Sequence, residues 1–233
     1  ISFSKGILSS SVATFCWFTP PPPFFFTFAF LDTVFFMITT GPGFEILLEI
    51  GRVAEAQNIP CYLVGGYVRD TLLSRDTKDI DIMVEGDAIS YAQVLSKSLG
   101  NLPVVEFKDF GTARIPLENF EIEIASARKE SYSKDSRNPE VTFTTFQNDM
   151  SRRDFTINAI AASILPDTFG ELHDPFGGIK DLQKGLIITP LDPDETFSDD
   201  PLRMLRAIRF AAQLNFKIDN KVIDGIKKHR ALR

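Results

Sequence analysis

From Lys78 to Glu85 the chain reads Lys-Asp-Ile-Asp-Ile-Met-Val-Glu, and this short segment restricts the fold more than any other. Asp79, Asp81 and Met83 alternate with Ile80, Ile82 and Val84, the period of a half-buried β-strand. Two aspartates at i and i+2 share a face, with backbones roughly 6.5–7 Å apart, so their carboxylates can converge on a metal ion. Without a cation each would raise the other's pKa. The pattern therefore suits either a metal site or a strand face bathed in solvent.

One strand earlier, the apolar run Cys61 to Val64 stops at Gly65-Gly66, and Val68, Leu72 and Leu73 resume at helical spacing. A strand, a glycine turn and a helix let backbone N–H groups approach a polyphosphate at the helix start. Arg69 can donate to phosphate or pair with Asp70 or a strand carboxylate. A glycine pair before a helix is also an ordinary turn. The acid pair just downstream moves the reading towards phosphoryl or nucleotidyl transfer, for which a phosphate cradle beside metal-binding carboxylates is the equipment.

The rest of the chain divides in two. Half of the 22 phenylalanines precede Glu45, Pro20 to Pro23 form a proline run, and Asp32 is the one charge between Gly6 and Phe44. No helix or strand period runs through residues 1–43, and the apolar run Phe24 to Ile38 is shorter than the roughly 20 residues a spanning helix needs. We expect this segment to stand apart from the fold and expect no stable membrane partner. Ile46, Leu47, Ile50, Val53 and Ala54 predict a first helix, and helix is predicted again over 87–99, 152–162, 177–183 and 200–214. Asp199 or Ser198 is the expected cap of the last, with Pro201 in its first turn. Short strands are predicted at 104–107, 112–117, 120–125 and 186–189. In the 120–125 strand Glu121 and Glu123 share one face. Strands dominate up to about Pro190 and helices thereafter. Residues 44–189 are therefore expected as one domain and 190–233 as the start of a helical one. Cys16 and Cys61 have no metal-ligand spacing, which suits a reducing, cytoplasmic setting. The net charge of −6 limits any polynucleotide contact to a local patch.

Over Leu63 to Phe216 the chain resembles the class II polymerase-beta-like nucleotidyltransferases, which comprise CCA-adding enzymes and bacterial poly(A) polymerases. LVGGYVRD at 63–70 is similar to the family's glycine motif and DIDIMVEG at 79–86 to its acidic strand. The resemblance implies an α+β head, a small mixed sheet with flanking helices, followed by the start of an all-helical neck. It implies that Asp79 and Asp81 bind two Mg2+ ions. FEIEIASAR at 120–128 is similar to the strand that brings a further carboxylate to the site, which makes Glu123 the candidate, although Glu121 shares its face.

SRRDFTINAI at 151–160 resembles the sugar-selecting motif: Arg152 and Arg153 can bind phosphates, and Asp154 can accept from a ribose hydroxyl. Plain capping at a helix start is the alternative. HDPFGGIKDLQKG at 173–185 resembles a hinge, so Asp174, Gly177 and Gly178 are expected to be mechanical. His173 has no partner histidine nearby for metal binding.

DDPLRMLRAIRF at 199–210 resembles the templating motif, with Asp199 where Glu is commoner, and Arg206 next in the row of bases. Asp200 and Arg203 lie at i and i+3, neighbours on one helix face. An aspartate can accept from the exocyclic amine of cytosine or adenine while an arginine donates to the ring nitrogen beside it. Guanine and uracil present a carbonyl and an N–H at those places. A surface ion pair is the other use of that spacing. The implied partners are CTP, ATP and a tRNA 3′ end. Poly(A) addition, or nucleotide binding without efficient catalysis, is the alternative. Family members continue through a neck, body and tail that grip tRNA, so weak tRNA extension by residues 44–233 alone is expected.

Overall fold

The computed structural model describes residues 43–75, 77, 79–118, 120–131 and 140–230. The Phe/Pro-rich segment before Gly43, Lys78 and Ala231 to Arg233 lie outside the described residues. In chain order come α1 (Phe44–Ala56), β1 (Cys61–Val64), α2 (Gly65–Leu72), β2 (Asp79–Val84), α3 (Ala88–Ser98), β3 (Val105–Phe107), β4 (Thr112–Pro116) and β5 (Glu121–Ser126). They continue with β6 (Arg128–Ser131), β7 (Glu140–Phe143), α4 (Phe146–Ser151), β8 (Ala161–Ser163), β9 (Leu172–His173) and α5 (Gly178–Lys184). β10 (Leu186–Ile187), α6 (Pro193–Asp199), α7 (Leu202–Leu214), β11 (Lys217–Ile218) and α8 (Asn220–His229) complete the chain.

Seven strands form one mixed sheet in the order β3-β4-β5-β2-β1-β8-β9. β2 lies at its centre, antiparallel to β1 and parallel to β5, with Asp81 opposite Glu123 and Asp79 opposite Glu121. One face of the sheet supplies Ile80, Ile82, Ile115, Ile122 and Ile124 to the main core, where α1 adds Leu47, Ile50 and Val53 and α3 adds Tyr91 and Leu95. Burying each large aliphatic side chain there stabilises the fold by roughly 1.5–3 kcal/mol. Alternation leaves the other face to Asp79, Asp81, Glu121 and Glu123, backed by a small apolar cluster of Val64, Met83, Ala127, Met150, Ala159 and Ala161. The acids therefore sit where the core ends.

Local chemistry explains the helix starts. Asp87 caps α3, accepting from Ile89 N at 3.0 Å and Ser90 Oγ at 2.7 Å, and these bonds hold its carboxyl below the usual range. Asp174 accepts from Gly178 N at 2.7 Å and Ile179 N at 3.0 Å, so it anchors the start of α5. Gly178 packs so tightly that an added Cβ would stand 2.1 Å from Thr156 O. His173 is seated edge-on between Tyr62 and Phe146.

Two sequence expectations are corrected. Residues 152–162 do not form a helix: a turn and a 3-10 segment, Thr156–Asn158, lead into β8. Residues from Ala159 to Ile164 are all buried, and a run buried on both faces carries no period that separates helix from strand. The helix expected over 200–214 is present but begins at Leu202, because Asp200 is extended and separates it from the preceding α6. The Asp200 carboxylate, not Asp199 or Ser198, caps α7 by accepting from Leu202 N at 2.9 Å. Among the described residues no helix is long and apolar enough to cross a membrane.

Candidate nucleotide-transfer site

β1 ends at Val64, and the chain turns into α2 through Gly65, whose φ of +65° is left-handed. An added Cβ there would lie 3.0 Å from Arg153 Nη1 and 3.6 Å from Asp81 Oδ2, and at Gly66 3.8 Å from the same oxygen. The glycine turn thus leans directly over the carboxylate of the neighbouring strand. The left-handed backbone at Gly65 is what calls for glycine there.

A cleft of about 580 Å³ opens at this point. Its walls bring together Gly65, Gly66, Arg69, Asp81, Arg152, Arg153, Asp154, Asp200, Arg203 and Arg206, all identified in the sequence. Asn158, Arg209, Phe210 and Gln213 line it as well and were not anticipated. Arg209, Phe210 and Gln213 lie on α7 with Arg203 and Arg206. Six arginines face three aspartates in the cleft, so an acidic chain carries a locally cationic pocket suited to a polyphosphate.

The polar groups form one connected network. Arg69 donates from Nε and Nη2 to the two oxygens of Asp70, at 2.9 and 2.6 Å, and from Nη1 to Asn158 Oδ1 at 2.7 Å. Of the partners the sequence offered Arg69, Asp70 is the carboxylate it takes, and Arg69 still lines the cleft. Asn158 Nδ2 in turn donates to Asp154 Oδ1 at 2.9 Å, and Phe155 N donates to the same oxygen. Arg206 donates from Nε and Nη2 to Asp154 Oδ2, both at 2.7 Å. Buried Asp154 therefore has both oxygens engaged within the protein, and a sugar hydroxyl would have to compete with Arg206. Arg153 spans Asp149 and the carbonyl of Asn158. The Phe210 ring lies within 4.8–5.4 Å of the guanidiniums of Arg69, Arg206 and Arg209, a cation–π seat for all three.

Asp200 and Arg203 both reach the cleft, but Asp200 sits in the extended break before α7, not on the helix with Arg203. Arg203 donates to Thr196 O at 3.4 Å, and among the described residues the two form no ion pair with each other. The surface salt bridge that their spacing allows is absent.

Burial, then the charge of Glu123, pushes the Asp81 carboxyl up to about 6, with Arg153 opposing, Asp79 adding and Arg69 opposing. Glu123 lies beside Asp81 in register, and its carboxylate pairs with Arg114 at 2.8 Å. Among the described residues no three acidic, His or Cys side chains converge as metal ligands. The donors available to a metal are Asp79 and Asp81, an exposed and a half-buried carboxylate. One or two carboxylates completed by substrate phosphates and water is a usual Mg2+ environment, and a dication would stabilise the ionised Asp81 that burial and the Glu123 charge oppose. These residues fit a divalent metal.

Residues 61–188 match the family described as the poly A polymerase head domain. The chain is 43% identical over 167 residues to an A-adding tRNA nucleotidyltransferase of Aquifex aeolicus, covering 72% of this chain and 20% of that protein. It is 37% identical over 198 residues to a CCA-adding enzyme of Enterococcus faecalis, covering 84% and 47%. An apo CCA-adding enzyme superposes with a TM-score of 0.75 at 37% identity, covering 84% of this chain and 46% of the other. A tRNA nucleotidyltransferase in complex with a primer tRNA and an ATP analogue superposes at 0.69 with 37% identity, covering 78% and 50%. The chain spans from a fifth to under half of these curated relatives. Its sheet, its glycine turn and the match across 61–188 make it a member of the poly(A) polymerase head domain family.

Proposed function

We propose that this chain is the catalytic head of a tRNA nucleotidyltransferase that transfers C, C and A from CTP and ATP to an RNA 3′ end. The observation that carries this reading is the convergence of Gly65, Gly66, Asp81, Asp200, Arg203 and a row of arginines on one cleft. In this reading the N–H groups at the start of α2 and the arginines of the cleft hold the triphosphate. Asp79 and Asp81 would hold two Mg2+ ions, which when bound supply positive charge to the attacking hydroxyl and the leaving pyrophosphate. Asp200 and Arg203 read the base, accepting from the exocyclic amine and donating to the ring nitrogen of C or A. Residues 44–189 form the transferring unit and 190–233 begin a helical neck. The end of the family match at 188 supports that division. A reducing, cytoplasmic setting belongs to the same reading.

A second reading, transfer of A alone, is favoured by relatives from Aquifex aeolicus and Geobacter sulfurreducens, which carry the name A-adding tRNA nucleotidyltransferase. The test is extension of tRNAs ending before, within and after the CCA sequence, with CTP alone, ATP alone and both. Products that stop after CCA support the first reading. A single A added only to tRNA ending in CC supports the second. Long adenylate tails on arbitrary RNA, or extension that survives Asp81→Ala, would overturn both.

A further inference from the structure

Across the sheet from the nucleotide cleft lies an aromatic surface that the reading above leaves unused. β3 and the short 3-10 segment Lys108–Phe110 present Phe107 and Phe110, 37% and 48% exposed. Phe107 pairs with Thr112 on β4, Thr112 with Ala125 on β5 and Ala125 with Met83 on β2. Residues paired directly across a sheet share a face, so Phe107 lies on the face that carries Asp79 and Asp81. At three strand spacings, it stands roughly 15 Å from the acid pair.

The guanidinium of Arg114 covers the Phe107 ring at 5.3 Å and pairs with Glu123 at 2.8 Å and Glu121 at 3.5 Å. Phe107, Phe110, Thr112, Arg114 and Glu123 line a hollow of about 190 Å³. Exposed aromatic rings beside a guanidinium suit an unstacked nucleobase.

Direction selects the occupant. In the proposed reaction the phosphates of an incoming nucleotide lie among the glycine turn and the arginines, on the β1, α2 and α7 side of Asp81, where those residues line the cleft. In-line transfer requires the attacking hydroxyl to approach from the side opposite the leaving group, which is the β5, β4 and β3 side. We infer that Phe107 and Phe110, with Arg114, form a stacking platform for the last bases of the single-stranded RNA 3′ end that receives the nucleotide. The inference rests on the proposed transfer reaction.

The test measures fluorescence anisotropy of a 5′-labelled RNA octanucleotide on the full chain, alongside calorimetry of ATP with Mg2+. Removing both rings with Phe107→Ala and Phe110→Ala weakens RNA binding roughly tenfold or more, the loss expected for base stacking. The Tyr variants at both positions retain affinity, and ATP affinity stays at the wild-type level in all of them. An octanucleotide abasic at its last two positions binds the wild type as weakly as intact RNA binds the double Ala variant. Equal RNA affinity of wild type and double Ala variant, or no penalty for the abasic probe, overturns the platform. A wild-type chain that binds RNA in this ring-dependent way but does not bind ATP counts instead against the transfer reading, and leaves the platform standing.

Discussion

Arg206 clasps one carboxylate oxygen of Asp154 with two donors, both at 2.7 Å, and so fastens α7 to the segment that follows α4. Asp154 is buried while the Arg206 side chain is 45% exposed, so the two partners are not equivalent. Arg206→Ala leaves a buried acid short of its charge partner and is expected to destabilise the protein by about 1–3 kcal/mol. In a double-mutant cycle with Asp154→Asn, urea unfolding should show a coupling of about 1 kcal/mol or more. Strict additivity would show that the clasp contributes nothing.

The raised Asp81 carboxyl makes a signed prediction. Its folded value of about 6 lies above its ordinary 3.8. The stability linked to its proton is therefore present below about pH 4 and lost as pH rises through about 6. Asp81→Asn removes that loss. In metal-free buffer the variant should exceed the wild type by on the order of 2 kcal/mol at pH 7.5, with the difference vanishing at pH 4, while nucleotide transfer is abolished. A variant less stable than wild type at pH 7.5 would show that Asp81 is not held against its preference.

Gly177 and Gly178 should respond differently to alanine. Gly177 has φ +73° and open space around it, so Ala costs about 1 kcal/mol of backbone strain. Gly178→Ala forces a methyl against the Thr156 carbonyl and is expected to cost about 2–3 kcal/mol, because backbone must move. Thermal unfolding of the two variants ranks them, and the reverse order would contradict the packing of α5 on the 3-10 segment.

Asp200 has two separable parts, as cap of α7 and as cleft acceptor. Asn caps a helix as well as Asp does, so Asp200→Asn should keep stability within about 0.5 kcal/mol. An amide can donate as well as accept, so discrimination of CTP and ATP against UTP and GTP should fall about tenfold or more in kcat/KM. Unchanged discrimination would remove Asp200 from base selection.

Much of the site was legible because its parts are local. The alternation around Asp79 and Asp81 and the glycine pair after β1 are short-range patterns that backbone geometry enforces. Residues 152–162 were misread because Ala159 to Ile164 are buried on both faces, and burial without alternation erases the period. Asn158 was invisible for a different reason. Its importance comes from standing between Arg69 and Asp154, and Arg69 is 89 positions away in sequence.

The sequence by itself determined which face of β2 carries the acids, where the chain turns tightly enough for a phosphate, and which residues a family resemblance assigns to base selection. The tertiary structure decided which partners those residues take: Arg69 pairs with Asp70, Glu123 with Arg114, and Asp154 with Arg206 and Asn158. Charged side chains settle on whichever opposite charge the packed elements bring nearest. That distance is a property of the fold, not of spacing along the chain.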